Sequence, residues 1–366
     1  MDNVVLYRKY RPQNFSEIVG QEHIVQTLTN SINLESISHA YLFSGPRGSG
    51  KTTMARIFAK AINCQDASSF EPCNTCDSCQ EIMGAKSIDL VEIDAASHTG
   101  VEEVRELISG IKFLPVKSKY KVFIIDECHQ LSKSAANALL KTLEEPPAHA
   151  IFMLATTEAH KMIPTILSRC QRFDFKRLQV PEIIKKLEFI LKKEKINFEE
   201  PVLSLIAINA RGSFRDAESL LDKCLSFIGQ DGMITLKEVK DLLGIVEVSQ
   251  ISNFVDFIIE RKTKESILYI NKMADLGVDL QEFVKTLVFY SRQMLMLKIN
   301  PEFLNSESSG FSKEEIERLK QQTEKLRDID IQKMLELFIE AENKMKYATI
   351  LQLPLELAIL DICSPF

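Results

Sequence analysis

The sequence predicts a parallel α/β domain followed by two helical domains, and three observations carry that prediction. Apolar β-type runs, Tyr41 to Ser44, Leu90 to Ile93, Lys121 to Ile125 and Ala150 to Ala155, alternate with helical patterns up to residue 178, the signature of a parallel sheet with helices on its faces. After Phe173-Asp174-Phe175 the strand-like runs stop. Val180 to Lys193, Glu200 to Ala210 and Ser213 to Phe227 then carry apolar residues at spacings of three and four, which predicts a small helical domain over 179–243. From 244 to 366 the pattern stays helical, with Ile251 to Arg261, Thr263 to Leu276, Leu280 to Lys298, Lys313 to Arg327 and Ile329 to Lys346 as elements and Ser306 to Gly310 as a loop.

Composition bounds the rest. A chain of 366 residues is too long for one ordinary core, and 45% hydrophobic with 26% charged residues is the balance of a globular protein. No window approaches the roughly 18 uninterrupted apolar residues of a membrane span. The N-terminal Met1-Asp2-Asn3-Val4 has no signal-sequence character, so a cytoplasmic location is expected. The net charge of −6 excludes a chain that binds nucleic acid by its overall charge, and any such contact must be local. The basic run Lys192-Lys193-Glu194-Lys195 reads as a solvated helix end.

The first strand leads into Gly45-Pro46-Arg47-Gly48-Ser49-Gly50-Lys51-Thr52, a G-x-x-x-x-G-K-[ST] loop, with Thr53 in the turn that follows and a helix expected from Thr52 to Asn63. Strand, loop, helix is the order the motif needs. The glycines let backbone N–H groups approach phosphates, the helix aims its positive end at them, and the Lys51 ammonium reaches the outer phosphates. Thr52 supplies a hydroxyl for magnesium. The motif by itself leaves ATP and GTP open. The run Lys121 to Ile125 ends in Asp126-Glu127, where a carboxylate at a strand's C-terminal end can hold magnesium and its neighbour can polarise a water. Hydrolysis, beyond binding, is therefore expected.

Eight cysteines are unevenly spread. Cys64, Cys73, Cys76 and Cys79 follow a C-x8-C-x2-C-x2-C spacing in a polar loop, which predicts a structural zinc site; an iron–sulfur cluster and a redox dithiol are the alternatives. Cys128, Cys170, Cys224 and Cys363 are isolated and read as small apolar core residues.

Together the opening Tyr7-Arg8-Lys9-Tyr10-Arg11-Pro12, Phe15, Val19-Gly20-Gln21-Glu22-His23, the phosphate loop, the cysteine insert, Leu139 to Pro147 and Ser168-Arg169-Cys170 closely resemble the gamma/tau subunits of bacterial DNA polymerase III. The resemblance covers essentially the whole chain. It implies an AAA+ ATPase domain with a zinc-binding insert at 64–79, a helical lid and an α-helical collar that oligomerises, acting as the motor of the replicative clamp loader. It further implies ATP held between neighbouring subunits, with Arg169 reaching the nucleotide of the next subunit as an arginine finger. Arg215, in Gly212 to Ala217, corresponds to the second sensor on the lid. Thr156, with Thr157 as its competitor, corresponds to the first sensor. Tyr7, Arg8 and the Val19-Gly20 segment correspond to the part that encloses the adenine, which favours ATP. Expected partners are delta-type and delta-prime-type subunits, further copies of the chain, the sliding clamp (beta) and primed DNA, with no membrane. Tyr10 stands where the family has tryptophan, and Cys128 where a small aliphatic residue is usual. The segment Leu353 to Ala358 resembles the last collar helix, so the long tail of the tau form is expected to be missing. Two rival readings remain at this level: an ATP-gated scaffold or switch without motor activity, and a DNA-remodelling AAA+ ATPase.

Overall fold

Five strands, β1 (Ala40–Ser44), β2 (Leu90–Asp94), β3 (Lys121–Asp126), β4 (Ala150–Thr156) and β5 (Gln171–Asp174), form one sheet in the order β2-β3-β4-β1-β5, and every adjacent pair is parallel. This computed structural model describes residues 5–66, 69–97, 110–228, 233–242, 244, 246–300 and 311–363. The loop expected over Ser306 to Gly310 lies outside the described residues. β1 and β4 are buried along their whole length, as apolar strands covered on both faces must be. Alternation along β1 splits the core: Tyr41 and Phe43 point to one layer with Met54, Phe58 and Ile124, and Ala40 and Leu42 to the other with Phe123, Leu139 and Phe152.

The first described unit, Met1–Thr235, holds the sheet and nine helices among its described residues. They are α1 (Leu6–Lys9), α2 (Glu22–Asn33), α3 (Lys51–Ile62), α4 (Asp77–Met83), α5 (Lys133–Glu144), α6 (Pro164–Leu167), α7 (Val180–Glu194), α8 (Glu200–Asn209) and α9 (Phe214–Ile228). Ser132 begins α5 by accepting from the Ala135 N–H at 3.2 Å, and the Gln179 N–H with the Glu182 carboxylate closes the start of α7 at 2.7 Å. α7, α8 and α9 bury Ile183, Leu187, Val202, Leu203, Ile206 and Leu221 as the small helical part. Lys192 and Lys193 are exposed at the end of α7, as a solvated helix end should be.

The second unit, Leu236–Phe366, is helical throughout its described residues. α10 (Leu236–Leu242), α11 (Val248–Ile259), α12 (Thr263–Asp275), α13 (Leu280–Ile299), α14 (Lys313–Glu324), α15 (Asp328–Met345) and α16 (Leu353–Cys363) contribute to it. Its core centres on Phe254, fully buried and edge-on to Phe283 with ring centres 5.5 Å apart. Of the isolated cysteines, Cys128, Cys224 and Cys363 are buried and Cys170 is partly so. No described helix is long and apolar enough to cross a membrane.

Candidate nucleotide site

The strand order explains where the site lies. β1 continues to β2 on one side of the sheet, and β4 continues to β5 on the other, so the crevice beyond the C-terminal ends of β1 and β4 is the switch point of the sheet. The last residues of the five strands, Ser44, Asp94, Asp126, Thr156 and Asp174, are all polar. A cavity of about 370 Å³ opens there. Its walls include Arg47 to Thr53, Asp126, Glu127, Tyr7, Val19 and Arg215, so most of the residues read from the sequence converge in one place.

The loop from Gly45 to Gly50 has the shape its glycines predict. Gly45, Gly48 and Gly50 take φ of +149°, +74° and +96°, and a Cβ on Gly45 would meet the Phe175 carbonyl oxygen at 2.6 Å. Gly45 and Pro46 do not line the cavity; their carbonyls accept from the Lys51 Nζ at 2.8 and 2.9 Å and hold it at the loop's centre. Lys51 is 6% exposed, and burial presses its ammonium towards the neutral form against the pull of Glu127 and Asp126. Thr52 Oγ1 donates to Asp126 Oδ2 at 2.6 Å. A hydroxyl and a carboxylate oxygen so placed are hard donors suited to magnesium.

Glu127 occupies the left-handed region at φ +46°, where a non-glycine residue needs local support. Its Oε2 accepts from the Thr157 hydroxyl at 2.8 Å and the Thr157 N–H at 3.1 Å, and lies 3.4 Å from His129 Nδ1. Thr156 is fully buried, outside the cavity lining, with its Oγ1 3.0 Å from the same His129 nitrogen. His129 Nε2 in turn lies 3.1 Å from Glu158 Oε2. Both candidate threonines thus belong to one network around Glu127, and His129 is a member that sequence reasoning missed, although it sits two residues after the acidic pair.

The helical part meets the loop directly. The Phe214 N–H donates to the Gly48 carbonyl at 3.3 Å, and Arg215 follows with its guanidinium 5.0 Å from the centre of the Tyr7 ring. Arg8 lies 5.9 Å from that ring and outside the lining. Glu17, Ile18, Arg11, Lys186 and Glu218 also line the cavity and were not foreseen. Burial pushes the Glu218 carboxyl up to about 7, opposed by the Lys186 ammonium.

Arg169 lies away from the cavity lining, on the turn after α6. Its guanidinium donates to the Thr165 carbonyl at 2.9 Å, Ser168 Oγ at 3.2 Å and Glu144 Oε1 at 2.8 Å. The four clustered cysteines do converge: their sulfurs all lie within 4.8 Å of one another. The Cys73 N–H points at Cys64 Sγ at 3.4 Å and the Cys76 N–H at Cys73 Sγ at 3.3 Å, the donors a thiolate cluster uses. Hydrogen bonds from Thr75, then from the Cys76 backbone, lower the Cys73 thiol to about 6, and burial raises Cys64 and Cys79. This donor set fits a tetrahedral metal ion, zinc among them.

Three family models match the chain: DNA polymerase III, delta subunit, over residues 20–179; the ATPase lid domain of the DNA polymerase III clamp loader subunit over 182–230; and DNA polymerase III subunits gamma and tau domain III over 234–365. DNA polymerase III subunit tau of Bacillus subtilis is 41% identical over 365 residues, covering 100% of this chain and 64% of that protein. The Escherichia coli tau subunit is 38% identical, covering 98% and 55%. The chain therefore spans somewhat over half the length of these relatives. DNA polymerase III subunit gamma of Buchnera aphidicola from Acyrthosiphon pisum is 37% identical over 364 residues, covering 100% of this chain and 99% of that one. Among solved structures, the Thermotoga maritima RuvB Holliday junction branch migration motor aligns with a TM-score of 0.49 at 20% identity, covering 74% of this chain and 86% of that chain. With a near-complete relative matched from end to end, the chain belongs to the gamma/tau subunit family of DNA polymerase III.

Proposed function

We propose that the chain is an ATP-hydrolysing motor subunit of a bacterial replicative clamp loader, opening a sliding clamp and placing it on primed DNA, with hydrolysis triggering release. The observation that carries this reading is the Thr52–Asp126 pair, 2.6 Å apart, beside Lys51 and Glu127 in the walls of one cavity. In that reading the loop N–H groups and Lys51 bind the phosphates, and Thr52 and Asp126 are the donors that would hold magnesium, which supplies charge neutralisation to the phosphates when bound. Glu127 takes the proton of the attacking water, and Thr157 orients its carboxylate. Thr156, bonded to His129, relays its position to the same carboxylate. Tyr7 and Val19 enclose the adenine, with Arg8 outside the lining beside the Tyr7 ring, and Arg215 contacts phosphate from the helical part. Arg169 completes the site of the next copy in the ring, where a guanidinium stabilises the charge that develops on the transferred phosphoryl group.

The same reading divides the chain into an AAA+ domain at 1–178, a lid at 179–243 and a collar at 244–366; the matched ranges support three parts, with the last starting at residue 234. Cys64, Cys73, Cys76 and Cys79 would hold a structural zinc ion that cross-links the insert when bound. Delta-type and delta-prime-type subunits, further copies of the chain and the sliding clamp are the partners, in the bacterial cytoplasm. The test is steady-state ATP hydrolysis with those subunits, with and without clamp plus primed DNA. Strong stimulation only when both are present is expected; a low, unchanged rate with ATP binding intact refutes the motor.

A further inference from the structure

The cysteine insert and one wall of the cavity are joined by hydrogen bonds that neither the phosphate loop nor the metal donor set uses. Glu71, between Cys64 and Cys73, accepts from the Phe15 N–H through Oε2 at 2.8 Å and from the Ser16 N–H through Oε1 at 2.9 Å. These two residues begin the 3-10 turn Phe15–Glu17, so a carboxylate more than fifty residues away in sequence satisfies N–H groups that the turn itself leaves free. Asn74, between Cys73 and Cys76 and held at φ +58°, donates through Nδ2 to Asn14 Oδ1 at 2.6 Å. Its Oδ1 accepts from Lys60 Nζ at 2.7 Å, and that ammonium also donates to the Gln13 carbonyl at 2.8 Å and to Gln13 Oε1 at 2.9 Å. Lys60 lies on α3, the helix that starts at the phosphate loop, and is 2% exposed.

Residues 13 to 16 are therefore held one after another by Glu71, Asn74 and Lys60, and the next three, Glu17, Ile18 and Val19, line the cavity. The buried Phe15 ring, the Ile18 side chain packed on the same core and the Lys60 bonds to Gln13 anchor this segment independently of the insert, but they leave the Phe15 and Ser16 N–H groups free to turn. The contacts from the insert remove that freedom. From this geometry we infer that the cysteine insert is a positioning element for the base end of the nucleotide, so that occupancy of the four-cysteine cluster and affinity for the nucleoside are coupled. The inference rests on the nucleotide reading of the cavity. A metal at Cys64, Cys73, Cys76 and Cys79 restrains Glu71 and Asn74, which lie between those ligands in the chain, and a bound base restrains residues 17–19. Each event raises the affinity of the other by the same factor, because coupling between two sites is reciprocal.

The experiment compares ATP with inorganic tripolyphosphate, which has the phosphates and no base. Affinities of both are measured by competition against a fluorescent ATP analogue for the whole chain, for Glu71→Ala and for Glu71→Gln, with metal content determined on each sample. Glu71→Ala is expected to weaken ATP by about tenfold, with Glu71→Gln in between and tripolyphosphate unchanged. Unchanged tripolyphosphate binding also reports that the phosphate loop of the variant is folded. Equal ATP affinity in Glu71→Ala and the parent chain overturns the inference, as does a loss of tripolyphosphate affinity as large as the loss for ATP. In the second arm the metal is stripped with a chelator and restored. ATP affinity is expected to fall and recover while tripolyphosphate binding holds, and identical ATP affinity with and without metal overturns the coupling. A parent chain that binds neither probe is a different failure, that of the nucleotide reading itself.

Discussion

A single methyl group at Gly48 tests whether the helical part closes on the phosphate loop as the structure places it. A Cβ there would lie 1.9 Å from Ser213 Oγ and 2.9 Å from Ser213 Cβ, on a backbone with φ of +74°. The Ser213 hydroxyl can rotate away, giving up its bond from the Asp216 N–H at 3.2 Å, but its Cβ cannot, so the two segments must withdraw by about 0.5 Å, from 2.9 Å to the 3.4 Å at which ordinary contact begins. That opening takes the Phe214 N–H to Gly48 carbonyl bond from 3.3 Å beyond hydrogen-bond range and shifts the neighbouring Arg215 with it. The left-handed backbone costs about 1 kcal/mol with a side chain present, and the lost hydrogen bond about another 1 kcal/mol. ATP affinity of Gly48→Ala should therefore fall about 30-fold. The assay is equilibrium titration of a fluorescent ATP analogue against the parent chain, Gly48→Ala, Ser213→Gly and the double variant. Ser213→Gly removes both the hydroxyl and the Cβ and leaves the Ser213 Cα at 3.4 Å, so the double variant should regain the steric part and keep only the backbone penalty. Binding by Gly48→Ala as tight as the parent chain's, or a double variant no better than the single one, would refute the closed arrangement.

Other expectations follow from single features. Arg169→Ala should leave ATP binding by the isolated chain intact and cut hydrolysis in the assembled complex by about 10³ or more; unchanged turnover there removes the finger role. Glu218 titrates higher in the folded chain, at about 7, than its ordinary value of 4.5, so the folded state holds the proton more tightly. Its stabilising contribution is full below about 4.5 and is lost as pH rises through about 7, with Lys186, Arg11 and Asp222 as the charges that face it. Urea unfolding across that range should show stability declining by at most about 3 kcal/mol, and Glu218→Gln should flatten the decline. Phe254→Ala opens the centre of the second unit and should cost about 3–5 kcal/mol, read as a lower urea midpoint for a helical transition; a loss below 1 kcal/mol would mean the site collapses around the gap.

How much was legible depended on whether the chemistry was local. The loop from Gly45 to Thr52 and the pair Asp126-Glu127 declare themselves because contiguous residues do the work, and the structure brings them together at 2.6 Å. Arg11, Glu17, Lys186 and Glu218 come from separate segments with no shared pattern, so only the folded chain shows that they line one cavity. β5 carries no visible strand pattern: Phe173 alone is buried among Gln171–Asp174, as an edge strand permits, and the sequence showed only where the strands end. The cysteine spacing predicted convergence correctly, but Glu71 looked like an ordinary polar loop residue, since its partners at Phe15 and Ser16 lie far away in the chain. For Thr156 the expected hydroxyl is present, yet its buried bond to His129 follows from the tertiary packing of β4 against the turn after β3.

The Glu144–Arg169 pair gives the guanidinium a standing occupation on its own subunit, shared with the Thr165 carbonyl and the Ser168 hydroxyl. A partner that approaches Arg169 therefore enters an exchange, and what counts is the difference between two bound states. A partly exposed carboxylate pair of this kind is worth about 0.2–1 kcal/mol, so another surface carboxylate arriving from a neighbour would merely trade like for like. A phosphate, with more charge and several acceptor oxygens, wins that trade at about 1.5–3 kcal/mol for each charge-assisted bond. In the proposed finger role, Glu144 would set the threshold that an incoming phosphate has to exceed before Arg169 leaves its own chain.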